Sequence, residues 1–288
     1  MAANTRDIRR RIKSIKNTAQ ITKAMQMVAA SKMRKAQIAA IAGRPYADLM
    51  NRVLVALSRR TNPELSPLLE VREVKKELVL VVSTDKGLCG ALNTNLLREI
   101  SHFDKKPAAY AATGRKGVQY LARTKKDLLA DFPLKDSPGL LDTKPISKFL
   151  IDQFLERNVD RVSVLYTRFI NTLTLKPTIQ TILPISASDL PKPAGETPGE
   201  DDTLEFLYEP SAAEVLQGIL PHYIHFQVYQ MVLDARASEH SARMVAMKNA
   251  TDNAKQLIKD LTLEYNKIRQ ASITTELLEI ATAQMTLG

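Results

Sequence analysis

Apolar and small residues recur through the first sixty positions at alternating steps of four and three. They are Ile8, Ile12, Ile15, Ala19, Thr22, Gln26, Ala29, Met33, Ala36 and Ala40, then, past Gly43 and Pro45, Ala47, Met50, Leu54 and Leu57. Such a heptad-like seam predicts a long helix that pairs with another, and the small residues at its centre predict a close approach. Pro45 is expected to kink it. The C-terminal part repeats the theme. Ser211 and Glu214 are spaced as a capping box, and Pro221 is expected to bend the first turns that follow. An upstream seam (Val228, Met231, Ala235, Ser238, Ala242, Val245) runs out of phase with a distal one (Leu257, Leu261, Glu264, Ile268, Ala271, Thr275, Leu278, Thr282, Met285), so the supercoil is expected to change locally. Residues 222–287 contain no Gly or Pro. Those 66 residues would measure about 100 Å as one helix.

The pattern between these segments is different. ELVLVVST (77–84) reads as a buried strand, DKGLCG as a turn and ALNTNLLREI as a helix. AAYAAT is a strand, GRKGVQYLAR a loop and helix, SKFLIDQFLER a helix, and RVSVLYTRF and LTLKPTIQTILPI are strands. This alternation predicts an α/β domain with a partly parallel sheet. LPKPAGETPGEDDT (190–203) reads as a polar loop. The expected organisation is a helix over 1–60, an α/β domain over 61–210 and a second helix over 211–288. In this arrangement the two terminal helices form a long antiparallel coiled coil, and the α/β (Rossmann-like) domain is inserted between them. The longer C-terminal helix is expected to project past its partner.

Charge sharpens this picture. The net +10 is not spread along the chain: residues 1–60 hold 14 Lys and Arg against Asp7 and Asp48 alone, while the two later parts are each −1. The first helix should therefore face something acidic. Apolar residues make up 44% and charged residues 25%, proportions of a globular chain. No run of 18 apolar residues occurs, so no membrane span is expected, and the Arg- and Lys-rich start lacks the apolar core of a secretory signal. The seam runs on past residue 40, which argues against a transit peptide. A single cysteine, Cys89, allows no intrachain disulfide and suits a reducing compartment.

Candidate chemistry is sparse. TDKGLCG (84–90) lies between a strand and a helix, where phosphate loops sit, but lacks the G-x-x-x-x-G-K-[ST] spacing. It reads as a tight turn, and TGRKG (113–117) is weaker still. His222 and His225 stand at i, i+3 without an evident third ligand, and His102 and His240 have no neighbouring Cys or carboxylate motif. No G-x-S-x-G or H-E-x-x-H occurs. Catalysis, a cofactor and a resident metal are not expected. Ile21, Met25 and Val28 form a second apolar face on the first helix, beside Lys23, Lys32, Arg34 and Lys35, which suggests more than one neighbour.

Three stretches carry a resemblance: IRRRIKSIKNTAQITKAMQMVAASKMRKAQ (8–37), STDKGLCGALNTN (83–95) and ASEHSARMVAMKNATDNA…LEYNKIRQASITTELLEI (237–280). In this order they closely resemble the γ subunit of F-type ATP synthases. The resemblance implies a non-catalytic central rotor shaft, one copy per complex. It would turn inside a hexamer of three α and three β subunits, with a foot on the membrane c-ring that also holds ε. It implies that ATP chemistry belongs to β and that the shaft couples it to ion flow. It also implies a peripheral location on the cytoplasmic face of a bacterial inner membrane. Carried over by position, Lys23 and Met25 would lie level with acidic β loops, and Arg243 would support the shaft. Arg269, Gln270, Thr274 and Glu276 would meet β higher in the bore, and Tyr208 would belong to the foot. The family usually ends in Gly-Ala and small residues, whereas ATAQMTLG stands here, which bears on the fit of the terminal turns. No thiol-regulatory insert is recognisable. A basic coiled-coil nucleic-acid binder is the alternative, since phosphates would be drawn to the first helix. Against it, residues 1–45 contain no aromatic for base stacking.

Overall fold

A computed structural model describes residues 2–60, 66–103, 107–185, 209 and 211–287. It comprises helices α1 (Ala2–Ala42) and α2 (Arg44–Arg60), then strand β1 (Glu77–Val82), helix α3 (Leu92–Arg98), strand β2 (Ala108–Thr113) and helix α4 (Arg115–Arg123). Strand β3 (Asp127–Asp131), helix α5 (Leu140–Leu155), strands β4 (Arg161–Phe169) and β5 (Leu175–Leu183) and helix α6 (Ala212–Leu287) complete it. The fold class read from the sequence holds: long terminal helices enclose a mixed α/β insertion. The first helix breaks at Gly43, one residue before α2 begins, and Pro45 falls in the first turn of α2, where its missing N–H costs nothing. The polar loop 190–203 and Tyr208 lie outside the described residues.

The chain divides into two compact units: Met1–Ala30 with Arg243–Gly288, and Ser31–Ala242. In the second unit the sheet order is β3-β2-β1-β4-β5, parallel except for β5, which pairs antiparallel with β4. This is the 3-2-1-4-5 order of a doubly wound nucleotide-type sheet, with its switch point between β1 and β4. Alternation along β1 fills both faces. Leu78, Leu80 and Val82 join a core with Leu150 and Phe154 of α5, Leu57 of α2 and Val228 and Val232 of α6. Val79 and Val81 face Leu96 of α3 and Leu121 of α4 on the other side. A strand buried on both faces needs an unbroken apolar run, which is why ELVLVV was legible. β3, DLLAD, was not expected. Its alternate residues are exposed, as on an edge strand.

The other unit is a helix pair. Of the fourteen seam positions expected between Ile8 and Leu57, the seven from Ile8 to Ala29 belong to this unit and the seven from Met33 on to the other, and all fourteen are buried or half-buried. On α6 the covered stripe of this unit is Met247, Thr251, Ala254, Ile258, Leu261, Tyr265, Ile268, Ser272 and Thr275, again in alternating steps of four and three. Three members of the expected distal seam (Leu261, Ile268, Thr275) belong to it. Leu257, Glu264 and Ala271 do not: each is exposed, and the neighbour one residue later is covered instead. The expected change of phase with the upstream seam is present, because Met247 rather than Lys248 or Asn249 follows Val245 inward. At the start of α6 the Glu214 N–H bonds Ser211 Oγ at 3.3 Å, half of the capping box, while the Ser211 hydroxyl turns to Glu214 Oε1.

Candidate functional site: helix faces and a buried polar belt

The close approach of α1 and α6 is set by their smallest side chains. Ala29 is buried, as are Thr251 and Ala254, and Thr22 Oγ1 lies 2.7 Å from Thr251 Oγ1. Antiparallel helices of equal rise then bring Ala19 level with Ala254, Ile15 with Ile258 and Ile8 with Tyr265. By this count α1 ends opposite residue 271 or so, and residues 276–285 of α6 are all exposed.

The residues carried over from the resemblance, Tyr208 apart, all lie in this unit. Lys23 is exposed and its ammonium donates to Gln26 Oε1 at 3.3 Å. Met25 is half-buried, whereas Ile21 and Val28 are more than half exposed, so the second apolar face of α1 is real and uncovered. Arg243 is half-buried. Arg269, Gln270, Thr274 and Glu276 are exposed, and Thr274 Oγ1 donates back to the Gln270 carbonyl at 2.9 Å. At about 100° per residue, Arg269 and Glu276 share one flank of α6, and Gln270 and Thr274 share another. Ile273 and Leu277, both exposed, run between them. All six lie away from the Ile268–Ser272–Thr275 seam. An apolar stripe between polar margins, on the side turned from its own partner, is the make-up of a contact surface.

In the second unit, the turn after β1 is closed rather than poised for phosphate. Gly114 has φ +91°, and a Cβ there would stand 2.2 Å from the Ser83 carbonyl oxygen. That close approach lets the first N–H groups of α4 bond the turn: Arg115 N–H to Asp85 Oδ1, Lys116 N–H to the Thr84 carbonyl and Gly117 N–H to Ser83 Oγ. The start of α4, where an anion would bind, holds the carboxylate of Asp85. Asn93 ties down the rest, its amide donating to Thr84 Oγ1 at 2.8 Å and to Cys89 Sγ at 3.4 Å.

Asp85 also faces α6. Arg236 Nη2 lies 3.4 Å from Asp85 Oδ2 and within 3.4 Å of the Leu134 and Lys135 carbonyls, and its Nη1 donates to Glu239 Oε2 at 2.9 Å. Residues 236–241 are all buried, and five of the six are polar. Ser238 Oγ donates to the Thr167 carbonyl at 2.9 Å and Ser241 Oγ to the Thr172 carbonyl at 3.0 Å. His240 Nε2 is 3.6 Å from Asp136, which also takes a hydrogen bond from Lys32 of α1. Partial burial pushes the Asp136 carboxyl up, but the Lys32 hydrogen bond and the charges of His240, Lys32 and Arg236 outweigh it and hold it below its ordinary value. Sequence reasoning missed this belt, because a polar run on a helix ordinarily signals solvent. His240 was read as a histidine with no carboxylate near it, yet Asp136 stands beside it. His222 is exposed; His225 pairs through Nδ1 with Ser147 Oγ, and burial, then the charges of His222 and Lys144, hold its imidazole below its ordinary value.

Comparison with known proteins gives a consistent answer. Residues 4–287 match the sequence family described as ATP synthase. An ATP synthase gamma chain of Methylacidiphilum infernorum is 53% identical over 292 residues, covering 99% of this chain and all of the relative. That of Opitutus terrae is 51% identical, covering 98% of each. Among solved structures, the central stalk/c-ring of the Tetrahymena thermophila mitochondrial ATP synthase superimposes with a TM-score of 0.62 at 25% identity, over 80% of this chain and 99% of that one. The rotor of the Euglena gracilis mitochondrial ATP synthase gives 0.68 at 19% identity, over 95% of this chain and 100% of that one, a likeness of fold.

Proposed function

The chain belongs to the ATP synthase family, among its gamma chains, and from that premise we propose that it is the central rotor shaft of such a complex, coupling ion flow through a membrane c-ring to ATP synthesis and hydrolysis on β. The observation that carries the reading is the helix pair. Two terminal helices meet along a seam that is close-packed around Ala and Thr, and both present apolar faces outward. Chemistry at β needs no catalytic group here, which agrees with a β1 turn closed by its own Ser83, Thr84 and Asp85. Family membership supports this reading and not the nucleic-acid alternative.

The finer assignments follow from the same premise. One copy stands in an α3β3 hexamer, with ε and the c-ring at the α/β end, on the cytoplasmic face of a bacterial inner membrane. Lys23 and Met25 meet acidic β loops through contacts that form and break as the shaft turns. Exposed ion pairs contribute only about 0.2–1 kcal/mol each, which suits a contact that must release. Arg243 supports the shaft, and Arg269, Gln270, Thr274 and Glu276 touch the upper bore around Ile273 and Leu277. Tyr208 belongs to the foot. Boundaries near residues 60 and 210 separate the helical parts from the foot.

The test is co-expression with α and β. A complex that hydrolyses ATP is expected, while the purified chain alone hydrolyses none. Failure to assemble, together with salt-sensitive binding to duplex DNA, would overturn the proposal.

A further inference from the structure

In doubly wound sheets, ligands bind in the crevice outside the carboxyl ends of the strands at the switch point. In this chain that place, between the ends of β1 and β4, is filled by the chain itself. Asp85 sits on the first N–H of α4, as an anionic ligand would, and Arg236 of α6 closes over it. The cavity left among Ser83, Thr84, Thr113, Thr167, Arg236 and Glu239 measures about 10 Å³, the size of one water. We infer that Arg236 is a positioning residue that locks α6 against rotation about its own axis relative to the α/β domain, an inference whose use in the rotor rests on the function proposed above.

The argument is geometric. Apolar burial is non-directional, so a helix held by its greasy face alone resists separation better than it resists rolling. Directional bonds on opposite sides remove that freedom. Arg236 and Ser238 are two residues apart, about 200° around the helix. One grips Asp85 and the Leu134 and Lys135 carbonyls; the other grips the Thr167 carbonyl of β4. Ser241, bonded to the Thr172 carbonyl, adds a third direction. The guanidinium suits the task because its planar fork reaches several acceptors in fixed geometry, which a lysine ammonium would not reproduce. Twist carried along α6 would then pass into the sheet through β1 and β4, its two central strands.

Removing Arg236 alone would take the countercharge from buried Glu239, so the informative variant is Arg236→Met with Glu239→Met, which removes both charges and keeps bulk. Asp85→Asn is the companion: it leaves the α6 pair whole and weakens its grip on the β1 turn, while the amide oxygen can still accept the Arg115 N–H. Spin labels on Arg123→Cys and His222→Cys, both in the unit that holds Arg236, report the lock directly in the full chain. We expect a narrow distance distribution in the parent and a clearly broader one in both variants, with melting profiles close to the parent's. In the complex assembled with α and β in membrane vesicles, ion uptake per ATP should fall roughly two-fold or more while hydrolysis continues. An unchanged label distribution in the double variant, or in Asp85→Asn should the double variant not fold, overturns the lock. Broadened labels with parental uptake per ATP overturn its role in transmission. A parental chain that forms no ATP-hydrolysing complex at all overturns the rotor reading instead, and the label measurement still judges the lock.

Discussion

The two threonines facing each other across the helix pair make a quantitative prediction. Thr22 Oγ1 and Thr251 Oγ1 are 2.7 Å apart; Thr251 Oγ1 is also 2.8 Å from the Met247 carbonyl, and Thr22 Oγ1 is 3.1 Å from the Ala19 carbonyl. Three contacts share two hydroxyl protons. The shorter backbone contact takes the proton of Thr251, so Thr22 donates across the seam. Thr22→Val removes that donor and puts a methyl where only a hydroxyl fits. The loss is one buried hydrogen bond plus a slight spreading of the seam, about 1–2 kcal/mol. Thr251→Val should cost a similar amount, leaving Thr22 to donate to its own Ala19 carbonyl. Each single variant loses the same Thr22–Thr251 bond, which the double variant loses only once, so the double should cost clearly less than the two singles together, with a coupling energy of about 1 kcal/mol. Urea titration followed by helix ellipticity measures all four corners of the cycle. The pair should also specify register, as lone polar seam residues do. A slip of one heptad would set Thr22 against Ile258. Cysteines at Ala19 and Ala254 should therefore cross-link in the parent, whereas Ala19 with Leu261 should do so only in the double valine variant. Additive single effects within about 0.3 kcal/mol, with the same cross-links in parent and double variant, would refute the reasoning.

Three further outcomes are expected. Met25→Lys, next to Lys23, should add an ion pair to acidic β loops and lower ion uptake per ATP while hydrolysis continues, and Met25→Leu should be close to silent; equal behaviour of the two in vesicles would remove Met25 from the contact set. The folded value of Asp136 lies below the ordinary 3.8, so its stabilising effect is present above that value and is lost as pH falls through the depressed one. Asp136→Asn should accordingly destabilise the chain at pH 7 by no more than about 1 kcal/mol, half-exposed as the site is, with the difference shrinking in acid melts as pH falls below 3.8 and vanishing only below the depressed value. Burial, helped by the charge of Asp234 and opposed by that of Arg168, pushes Tyr166 up to about 12. Its contribution is complete below the ordinary 10.0 and fades as pH rises from there toward 12, so Tyr166→Phe should flatten the alkaline limb of a stability profile over that interval.

The sheet was legible where burial is two-sided. β1, β2 and β4 are runs of Val, Leu, Ala and Tyr whose ends coincide, within two residues, with those read from the sequence. β3 escaped because an edge strand needs only alternate residues covered, and Asp127 and Asp131 at its ends read as loop. α5 begins at Leu140, seven residues before the expected start. The N-cap is Gly139, and the carboxylate of Asp142, three residues in, accepts the Gly139 N–H at 2.9 Å.

The terminal helices show where a one-dimensional pattern becomes ambiguous. On α1 the seam was readable because its second apolar face is short: Ile21, Met25 and Val28 cannot be mistaken for a stripe of fourteen. On distal α6 apolar residues are not confined to one stripe: Leu257 stands at the edge of the seam, while Leu263, Ile273 and Leu277 are exposed on the far side. Periodicity alone cannot say which of them face α1. The phase is decided by Thr251 and Ala254, because only residues that small permit contact with Ala19 and Thr22, and counting forward from them selects Ile258 over Leu257 and Tyr265 over Glu264. The stripe left outside is the one flanked by Arg269, Gln270, Thr274 and Glu276. The misassignment is thus a slip to one edge of the covered stripe, while the proposed contact surface around Ile273 and Leu277 lies beyond the stripe's other edge. A helix that must bind a partner on each side carries two apolar stripes, and the small residues, more than the large ones, show which stripe faces the chain's own helix.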